Sequence, residues 1–594
     1  MTEIESIIND NNKLKSFVKD FVNSLPNVID KNIVDQTMNK INRKYKMYPT
    51  KNDIRNLILK EYDINIQNKL VNYLIKKSMR SNSGVLVVTV VLKPDQFSCT
   101  KKCAYCPTET DLNGNPTQPK SYLSTEPAML RALANNFDIK NQILDRINCY
   151  IKTGNIILDN NIENSYKIEV IVSGGTWDIY KYDYRESVIN EIFYGLNTFN
   201  NNREIFSLEK EITINETTMF RCIGLTIETR PDFINKYNII NYRRWGVTRV
   251  QIGVQHYNDN ILYKIKRECY LKDTIKAILL LKQCGFKIVC HLMPDLPTSS
   301  PVMDKWMFNE AINNPDLQFD DVKIYPTAVC KSSDPNLIIT SEISKWYESK
   351  EYIPYAEKNI NDLIEVLIYY KINIQPWVRI QRLVRDIPTQ SILAGYNKFT
   401  NLRQFIQDKM NKEHLQCNCI RCKEIKDDKC NTTPYLVVNK YIASNGIEYF
   451  ISLQQHSPSI YNYLTNMLIN FINIFVTNKF YWNGNLKTYN KILGFCRLRL
   501  DENPGGNIIK EIKDCALIRE VHVYGKTQNI NNKSNFFNKT QHVGYGKYLI
   551  NIAEQISKNN YYNKVAVISG IGSRKYYENK CGYNLFGTYM IKKI

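Results

Sequence analysis

The order of apolar and polar positions divides the chain into a helical first part and a longer part that alternates strands with helices. Residues 1–80 repeat apolar side chains at helical spacing, for example in 54–58 and 70–75. At Val85 the pattern changes to VLVVTVVL, a β-branched run typical of a strand buried on both faces. We therefore predict a helical segment up to residue 80 and a buried sheet after it.

Further short apolar runs follow, each succeeded by a polar turn and a segment with helical spacing, such as 273–283. The runs lie at 168–172, 222–227, 249–254, 287–291 and 322–324. This alternation predicts a parallel sheet or a (β/α) barrel, whose chemistry gathers at the carboxyl ends of the strands. Two polar, Asn-rich stretches, 151–165 and 199–220, are interpreted as insertions on this scaffold.

The last part of the chain, from residue 434, has the pattern of alternating strands with a helix after Gly546. Within it, the Asn- and Lys-rich stretch 526–540 is expected to be a mobile loop. The predicted fold class is α/β throughout this larger part. The predicted domains are a helical segment over 1–80, a partial (β/α) barrel over 81–400, a linker over 401–435 and a mixed α/β domain over 436–594.

Composition and charge narrow the functional classes. An apolar content of 43% excludes wholesale disorder, and a net charge of +21 favours a polyanionic partner such as RNA, DNA or anionic lipid. Residues 36–80 carry eleven basic and three acidic residues, although a solvated helix face would explain the same charge. No run reaches about 18 apolar residues, and the N-terminus is acidic and polar, so we expect a soluble, cytoplasmic chain without a membrane span.

Sixteen cysteines in a reducing compartment indicate metal binding, catalysis or plain burial rather than disulfides. Cys99, Cys103 and Cys106 follow the first predicted strand directly, with three and two residues between them. Three thiolates this close can hold three irons of a 4Fe–4S cluster and leave the fourth iron open to a substrate. A structural zinc loop that lacks one ligand is the alternative interpretation.

A second group of cysteines, Cys417, Cys419 and Cys422, has the spacing of a structural zinc site. Such a site needs a fourth ligand, and the sequence offers Cys430 or His414 without deciding between them. A second iron–sulfur cluster is the alternative. The stretch 401–435 is therefore predicted to be a zinc-binding linker.

The first cysteine spacing, placed after the first strand of a barrel, resembles the radical S-adenosylmethionine (SAM) signature, and Tyr105 occupies its usual aromatic position. A glycine pair, which lets the backbone approach a ligand closely, and polar side chains at later strand ends agree with a cofactor site there. The candidates are Gly174, Gly175, Glu228 and Gln255. Each alone could be an ordinary turn or cap, but together with the cysteine loop they indicate SAM binding.

The C-terminal domain resembles the GNAT acetyltransferases. The loop Gln541, His542, Val543, Gly544, Tyr545, Gly546 and Lys547 precedes a predicted helix at 548–557 and is similar to the GNAT pyrophosphate loop. Backbone N–H groups at a helix N-terminus would hold the coenzyme A diphosphate. The strand 519–523 could pair with the pantetheine amides, and Tyr576 and Tyr577 lie where a GNAT tyrosine contacts the thiolate, although both could be core aromatics.

One chain with both features resembles the catalytic subunit of Elongator, the tRNA wobble-uridine modifying enzyme, from about Lys76 to the C-terminus. The segments that carry the resemblance are 80–85, 99–106, 223–232, 252–255, 291–297, 323–327, 385–388, 519–525 and 576–577. The family reaction that this implies starts from a SAM-derived 5′-deoxyadenosyl radical, which takes hydrogen from the methyl group of acetyl-CoA. The acetyl radical then adds to C5 of the uridine, and thioester hydrolysis leaves 5-carboxymethyluridine.

The resemblance also assigns roles to residues of this chain. The cluster ligands would be Cys99, Cys103 and Cys106; Lys323 and Tyr325 would line the radical pocket; and Glu520, Val521, His522 and Val523 would join the 541–547 loop, Tyr576 and Tyr577 at acetyl-CoA. The partner would be the anticodon stem-loop of tRNA. The residues expected to grip its phosphates are Lys40, Arg43, Lys44, Lys46, Lys76, Lys77 and Arg80. Further Elongator-type subunits or a homodimer remain open.

One segment departs from the family, which usually has Arg-Gly-His-Thr where this chain has Arg267-Glu268-Cys269-Tyr270. The change lies beside the predicted SAM region and could weaken the enzyme. Two other functions stay open, of which only the second is motivated by this departure. The first is a protein lysine acetyltransferase that uses the GNAT domain with Glu520 as its base, and the second is a non-catalytic tRNA-binding protein.

Overall fold

The structure is a computed structural model, and it divides the chain into two compact units. It describes residues 3–27, 29–70, 73–74, 84–96, 99–156, 158, 165–199, 201–396, 401–425, 434–455, 490–525 and 544–594. The first unit comprises Met1–Arg80 and Asp145–Asn164, and the second comprises Ser81–Leu144 and Ser165–Ile594. The boundaries predicted within the second unit, near residues 400 and 435, remain predictions.

The first unit is helical, as its apolar spacing predicts. Its N-terminal helices are Glu3–Asn23, Lys31–Tyr45, Lys51–Glu61 and Ile64–Leu70. Asp30 caps the second helix by accepting from the Ile33 N–H at 2.8 Å, and Thr50 and Asp53 form a capping box on the third. The helices enclose an apolar core of Phe17, Val18, Phe21, Val34, Met38, Ile41, Ile54, Ile58, Leu70 and Leu74.

The second unit begins with a parallel sheet that forms a partial (β/α) barrel. The strands of this region are β1 (Val85–Val91), β2 (Thr108–Asp111), β3 (Tyr166–Ser173), β4 (Phe220–Thr229), β5 (Arg249–Gln255), β6 (Lys287–Leu292), β7 (Asp321–Ile324), β8 (Val329–Cys330), β9 (Leu337–Thr340), β10 (Arg379–Arg382) and β11 (Ile392–Ala394). The main sheet has the order β1-β3-β4-β5-β6-β7-β10, and every neighbouring pair is parallel. All six predicted strands are confirmed.

Helices alternate with these strands. They are Pro127–Ala134, Ile139–Lys152, Tyr182–Asn197, Leu208–Asn215, Lys236–Arg244, Asp259–Lys264, Leu271–Gln283, Pro301–Asn313, Glu342–Glu348, Tyr355–Lys358, Ile360–Asn373, Leu402–Lys412 and Ile420–Lys423. The polar stretch 199–220 contains one of them, Leu208–Asn215. The buried Glu211 carboxylate of this helix accepts from both terminal nitrogens of Arg203, at 2.6 and 2.7 Å. In the part of the chain that the structure describes, no helix is long and apolar enough to cross a membrane.

A mixed α/β sheet closes the chain, as predicted. Its strands are β12 (Tyr435–Ala443), β13 (Gly446–Gln455), β14 (Lys491–Leu500), β15 (Cys515–Val523), β16 (Lys564–Val567), β17 (Asn584–Phe586) and β18 (Tyr589–Lys593), in the order β12-β13-β14-β15-β16-β18-β17. Only β15 and β16 pair in parallel, and their pairing covers Cys515–Ile518 of β15. The helices Tyr545–Asn559 and Arg574–Cys581 pack with this sheet. The stretch 526–540 lies outside the described residues.

A group of buried ions, here called the charge cluster, joins the parallel sheet to the mixed sheet. It consists of Lys282 on the helix Leu271–Gln283 and Asp320, the residue before β7, together with four ions of the mixed sheet, Glu448, Arg497, Arg499 and Arg519. Asp320 accepts from both terminal nitrogens of Arg519, at 2.9 and 2.5 Å. Glu448 lies 3.1 Å from the Lys282 ammonium and 3.2 Å from Arg519. Every member has an opposite charge within ion-pair distance, which buried charges require.

Candidate functional site

The three-cysteine loop lies directly after β1, and neighbouring segments hold its backbone. The Ala104 N–H donates to the Ile265 carbonyl at 2.9 Å, and the Ala104 carbonyl accepts from the Ile343 N–H at 3.0 Å. Within the loop, the Cys106 N–H donates to the Cys103 carbonyl at 3.1 Å. The loop is therefore a fixed turn with cysteines on both sides of an anchored residue.

Two buried arginines contact the middle cysteine. Arg230 and Arg267 each place a terminal guanidinium nitrogen 3.6 Å from the Cys103 sulfur. Burial acts to raise the pKa of Cys103, but the two guanidinium charges outweigh it, so this pKa lies below its ordinary value. Burial raises the pKa of Cys106 to about 11. Among the described residues, the sulfurs of Cys99, Cys103 and Cys106 do not form a group within 4.8 Å of one another. A thiol that faces two cations fits a ligand of an iron–sulfur cluster.

Segment 267–270, which departs from the family pattern, contacts this cysteine loop and Arg230. Arg230 donates to the carbonyls of Arg267 and Glu268, at 2.9 and 3.2 Å. Glu268 has a positive φ of 50°, the backbone region that favours the glycine usual at this position, and its carboxylate lies 2.7 Å from the Lys101 ammonium. Cys269 is buried. The substitution therefore adds an ion pair to the cysteine loop and leaves the Arg267 contact in place.

The glycine pair after β3 has the conformation that only glycine adopts readily. Gly174 has a φ of 143° and Gly175 a φ of 83°. A Cβ atom added to Gly174 would lie 2.9 Å from the Cβ of Leu92 and 3.1 Å from the hydroxyl of Tyr180. Tyr180 also donates to the Gly174 carbonyl at 2.8 Å. The Gly174 backbone therefore lies close to Leu92 and Tyr180, and the predicted approach of SAM to this glycine pair remains a prediction.

The two polar residues predicted at strand ends differ in how they are held. The Glu228 carboxylate accepts from the Tyr122 hydroxyl at 2.8 Å. Gln255, at the end of β5, has a φ of 74° and is 9% exposed. Among the described residues, no donor reaches its side-chain oxygen. A buried amide oxygen without a donor costs free energy, so it fits the place of a bound polar ligand such as SAM.

A polar network fills the ends of β5, β6 and β7. Lys323 and His291 both contact the Gln251 side-chain oxygen, His291 at 3.0 Å. His291 also lies 3.8 Å from Glu228, and its ring packs edge-on against Tyr325 with centroids 5.4 Å apart. Burial lowers the pKa of Lys323 to about 8 and that of His291 well below its ordinary value. The structure thus links Lys323, Tyr325 and Glu228 through His291 and Gln251.

Residues that the sequence pattern did not single out complete this region. Arg385 donates to the Glu126 carboxylate at 2.7 and 3.1 Å, and its guanidinium lies 5.0 Å from the centre of the Tyr122 ring. Tyr122 belongs to the loop between β2 and the helix Pro127–Ala134 and is the donor to Glu228. Segment 385–388 is one of those that carry the family resemblance, and this was the only sign of the contact in the sequence.

Beside the mixed sheet, the structure brings Gly546 of the predicted pyrophosphate loop close to Tyr576. A Cβ atom added to Gly546 would lie 2.9 Å from the Tyr576 hydroxyl, at the start of the helix Tyr545–Asn559. The helix begins three residues before the predicted position, because Gly544 turns the chain into it with a φ of 90°. Tyr577 is buried in the core, whereas Tyr576 is half-exposed. Gln541, His542 and Val543 lie outside the described residues.

Glu520, the candidate base of a lysine acetyltransferase, forms ion pairs through its carboxylate. Glu520 contacts the Lys287 ammonium and accepts from Arg497 at 2.9 Å. Burial acts to raise the pKa of Glu520, but Lys287 and Arg497 hold it well below its ordinary value. His522, two residues later on β15, stacks on the Phe495 ring at 5.6 Å, and burial lowers its pKa to about 3. A carboxylate so paired is a poor proton acceptor.

The second cysteine group converges. The sulfurs of Cys417, Cys419 and Cys422 all lie within 4.8 Å of one another, around the helix Ile420–Lys423. This separation suits three thiolates on one zinc ion. Of the two candidates for a fourth ligand, His414 is not part of the converging group and Cys430 lies outside the described residues. The identity of the metal and of its fourth ligand remains a prediction.

The predicted RNA contacts divide between described and undescribed residues. Lys40, Arg43 and Lys44 lie on the helix Lys31–Tyr45, Lys46 caps it, and all four are exposed. Lys44 also pairs with Asp20 at 2.5 Å. Lys76, Lys77 and Arg80 lie outside the described residues. The structure therefore presents a basic helix end at the surface of the first unit.

Comparison with known proteins first gives the class. Residues 178–302 match the Radical SAM superfamily, and residues 319–412 match the Radical SAM C-terminal domain. The first match begins after the cysteine loop, so the assignment of that loop depends on its spacing and on its contacts with Arg230 and Arg267. The parallel sheet and the loop at its first strand together define a radical SAM protein.

Longer matches then give the family. The tRNA uridine(34) acetyltransferase of Methanocaldococcus infernus is 35% identical over 583 residues, which cover 95% of this chain and 96% of that protein. Elongator complex protein 3 of Dictyostelium discoideum is 30% identical over 89% of this chain and 86% of its own length. The solved structure of archaeal Methanocaldococcus infernus Elp3 with an N-terminal deletion (1–46) covers 86% of this chain and 100% of its own, at 33% identity and a TM-score of 0.65. The chain belongs to the family of the tRNA uridine(34) acetyltransferases and Elongator complex protein 3.

Proposed function

We propose that this protein makes 5-carboxymethyluridine at the wobble position of tRNA, using a SAM-derived radical and acetyl-CoA. The observation that carries the proposal is the anchored cysteine loop, whose Cys103 faces two arginines, at the first strand of a parallel sheet. Family membership supports tRNA as the substrate, because the named relatives are tRNA uridine(34) acetyltransferases. Acetyl-CoA and the particular product are inferred from the second, mixed sheet.

Cys99, Cys103 and Cys106 would hold a 4Fe–4S cluster, and Gly174, Gly175, Glu228 and Gln255 would hold SAM beside it. When bound, this pair supplies a 5′-deoxyadenosyl radical that can remove hydrogen from an unactivated methyl group. The protein orients the site: Tyr122 fixes the Glu228 carboxylate at 2.8 Å, and Arg385 holds Tyr122. Lys323 and Tyr325, at the ends of strands, are proposed to position the reacting group of acetyl-CoA and the uridine.

Acetyl-CoA is proposed to bind at the start of the helix Tyr545–Asn559. The N–H groups and the positive end of a helix favour a diphosphate there. Tyr576 lies against this helix start at Gly546, so its hydroxyl is available to a thioester placed along β15. β15 continues for five residues, 519–523, beyond its parallel pairing with β16. That stretch is the proposed partner of the pantetheine amides.

Replacing Gly546 by alanine is expected to weaken acetyl-CoA binding about tenfold or more, a loss of about 1.4 kcal/mol. The added methyl would meet the Tyr576 hydroxyl at 2.9 Å and would displace it or tilt the helix start. Calorimetry with acetyl-CoA measures the affinity. Lys558→Ala, on an exposed position at the other end of the same helix, is the control and should bind normally. Equal affinity in the two variants would contradict the assignment.

The basic helix end of the first unit is proposed to contact tRNA phosphates. The double variant K40A/R43A is expected to lower tRNA affinity and to flatten its salt dependence, because fewer counterions are then released on binding. Filter binding at several salt concentrations measures both quantities. Lys13→Ala, exposed on the first helix, is the control with the same charge change per residue. If the salt dependence of tRNA affinity is unchanged in the double variant, the residues that bind the tRNA phosphates lie elsewhere.

Two other functions receive less support. A protein lysine acetyltransferase would need Glu520 as a base, and that carboxylate is engaged by Lys287 and Arg497. A non-catalytic tRNA-binding protein was suggested by the departure at 267–270, yet Arg267 contacts Cys103.

We propose a structural zinc ion at Cys417, Cys419 and Cys422, next to the start of the mixed sheet.

The deciding experiment is one anaerobic reaction with reconstituted protein, reductant, SAM, acetyl-CoA and unmodified tRNA, followed by mass spectrometry. We expect both 5′-deoxyadenosine and carboxymethyluridine. Deoxyadenosine without modified uridine would indicate a working cluster that lacks its tRNA or a partner subunit. Neither product, with iron and sulfide present on the protein, would favour the non-catalytic binder.

A further inference from the structure

The charge of Arg267 has an unusual environment in the barrel. Its side chain is 5% exposed, and its hydrogen bonds go to the Cys103 sulfur and to the Gly253 carbonyl. Among the residues that the structure describes, no carboxylate forms an ion pair with it, and its Nε atom has no acceptor. A buried cation without a counter-ion is costly, so an anionic group is expected beside it when the site is complete.

Arg230 contacts the same sulfur but is neutralised in a different way. Its guanidinium forms a two-pronged pair with the Asp232 carboxylate, at 2.9 and 3.0 Å. The Asp232 side chain is 23% exposed, while that of Arg230 is buried. Of the two cations on Cys103, therefore, Arg230 carries its own compensating charge and Arg267 does not.

We propose that Arg267 is a positioning residue that raises the reduction potential of the bound iron–sulfur cluster, by placing an uncompensated positive charge against the Cys103 sulfur. The inference rests on the proposed function, because it needs a cluster on this loop. One-electron reduction by an external donor adds one negative charge to the cluster and leaves Arg267 and the thiolates chemically unchanged. A nearby cation favours the more negative state, as do hydrogen bonds to ligand sulfurs.

The test is the midpoint potential of the cluster in the reconstituted full-length protein, from a dithionite titration with redox mediators that is followed by electron paramagnetic resonance. At the wild-type midpoint potential, Arg267→Gln should lower the ratio of reduced to oxidised cluster about tenfold, which corresponds to about 59 mV for a one-electron couple. Arg267→Lys keeps the charge and should stay near wild type. A lysine variant shifted as far as the glutamine variant would overturn the role of charge.

For a second variant, the proposal predicts a shift of the midpoint potential in the opposite direction. Asp232→Asn removes the compensating charge of Arg230 and should raise the midpoint potential. Arg185→Gln is the matched control, because Arg185 is also 5% exposed but pairs with Asp178 at 2.7 Å rather than with a cysteine. Its midpoint should equal that of the wild type. A control shifted as far as Arg267→Gln would show a general loosening of the barrel and would overturn the inference.

Iron and sulfide analysis separates the possible failures. A wild-type protein that takes up no cluster contradicts the proposed function itself. A wild-type cluster whose potential is unchanged in Arg267→Gln, at full iron content, contradicts only this inference. If Arg267→Gln cannot assemble a cluster, Asp232→Asn decides, and the absence of an upward shift there overturns the proposal.

Discussion

Replacing Cys103 by alanine is expected to reduce the formation of 5′-deoxyadenosine and of modified uridine to background. Cys103 is the cysteine of the loop that faces both Arg230 and Arg267. Its loss would leave two thiols, which cannot hold the three irons of the proposed cluster, and would leave both guanidinium groups without their sulfur partner. The measurement is the anaerobic assay with both products followed, together with the iron content of the purified variant.

Cys222→Ala is the matched control for this prediction. Cys222 is a buried thiol on β4, and burial raises its pKa to about 12, as expected of a cysteine that serves only packing. This variant should keep its iron and both products. Uridine modification that persisted in Cys103→Ala would contradict the cluster assignment, and protein acetylation that persisted alone would favour the lysine acetyltransferase.

Replacing Asp320 by alanine is expected to cost about 3–5 kcal/mol of stability. The substitution removes the carboxylate that accepts from Arg519 at 2.5 and 2.9 Å and lies 3.5 Å from Arg497. Arg519 then keeps only its contact with Glu448, and Arg497 only its contact with Glu520, among the ion pairs of the described residues. The substitution also removes the acceptor of the Ile288 N–H on β6. Urea unfolding followed by circular dichroism measures the loss as a lower transition midpoint.

The same variant should change how stability depends on pH. Burial acts to raise the pKa of Asp320, but Arg519, Lys282 and Arg497 outweigh it, so the folded-state pKa lies below the unfolded value of about 3.9. A depressed carboxyl pKa stabilises the folded state above the unfolded pKa, and this contribution is lost as pH falls through the folded pKa. The difference between wild type and Asp320→Ala should therefore be greatest near neutral pH and should narrow below about pH 4.

Asp386→Ala is the control for this stability prediction. Asp386 pairs with Arg382 at 2.8 Å, but both side chains are at least 40% exposed. Exposed ion pairs contribute about 0–1 kcal/mol, so this variant should unfold close to wild type. Similar midpoints for the two aspartate variants would mean that the charge cluster contributes little to stability.

The strand pattern and the glycine positions could be predicted because they depend on neighbours in sequence. Short apolar runs predicted six strands of the main sheet, and the pair Gly174-Gly175 predicted a turn that has the positive φ angles glycine favours. The short strand β10 was missed because its sequence, Arg379–Arg382, is mostly polar. It is held by pairing with β7 rather than by its own apolar pattern.

The contacts that complete the site could not be predicted because they join residues far apart in the chain. Arg385 meets Glu126 across 259 positions, and Arg267 meets Cys103 across 164. Spacing rules carry no information about such pairs. The substitution at Glu268 shows the same limit: its loss of glycine indicated a weakened site, whereas the folded chain gives that carboxylate a partner in Lys101.

The charge cluster constrains how the two sheets can be exchanged between related proteins. Asp320 pairs with Arg519, and Lys282 pairs with Glu448, so two buried ion pairs join the barrel region to the mixed sheet. A chimera that took only one half from a relative with a different arrangement of charges would bury ions without partners. The barrel and the mixed sheet are therefore expected to have diverged together, as a single inherited unit.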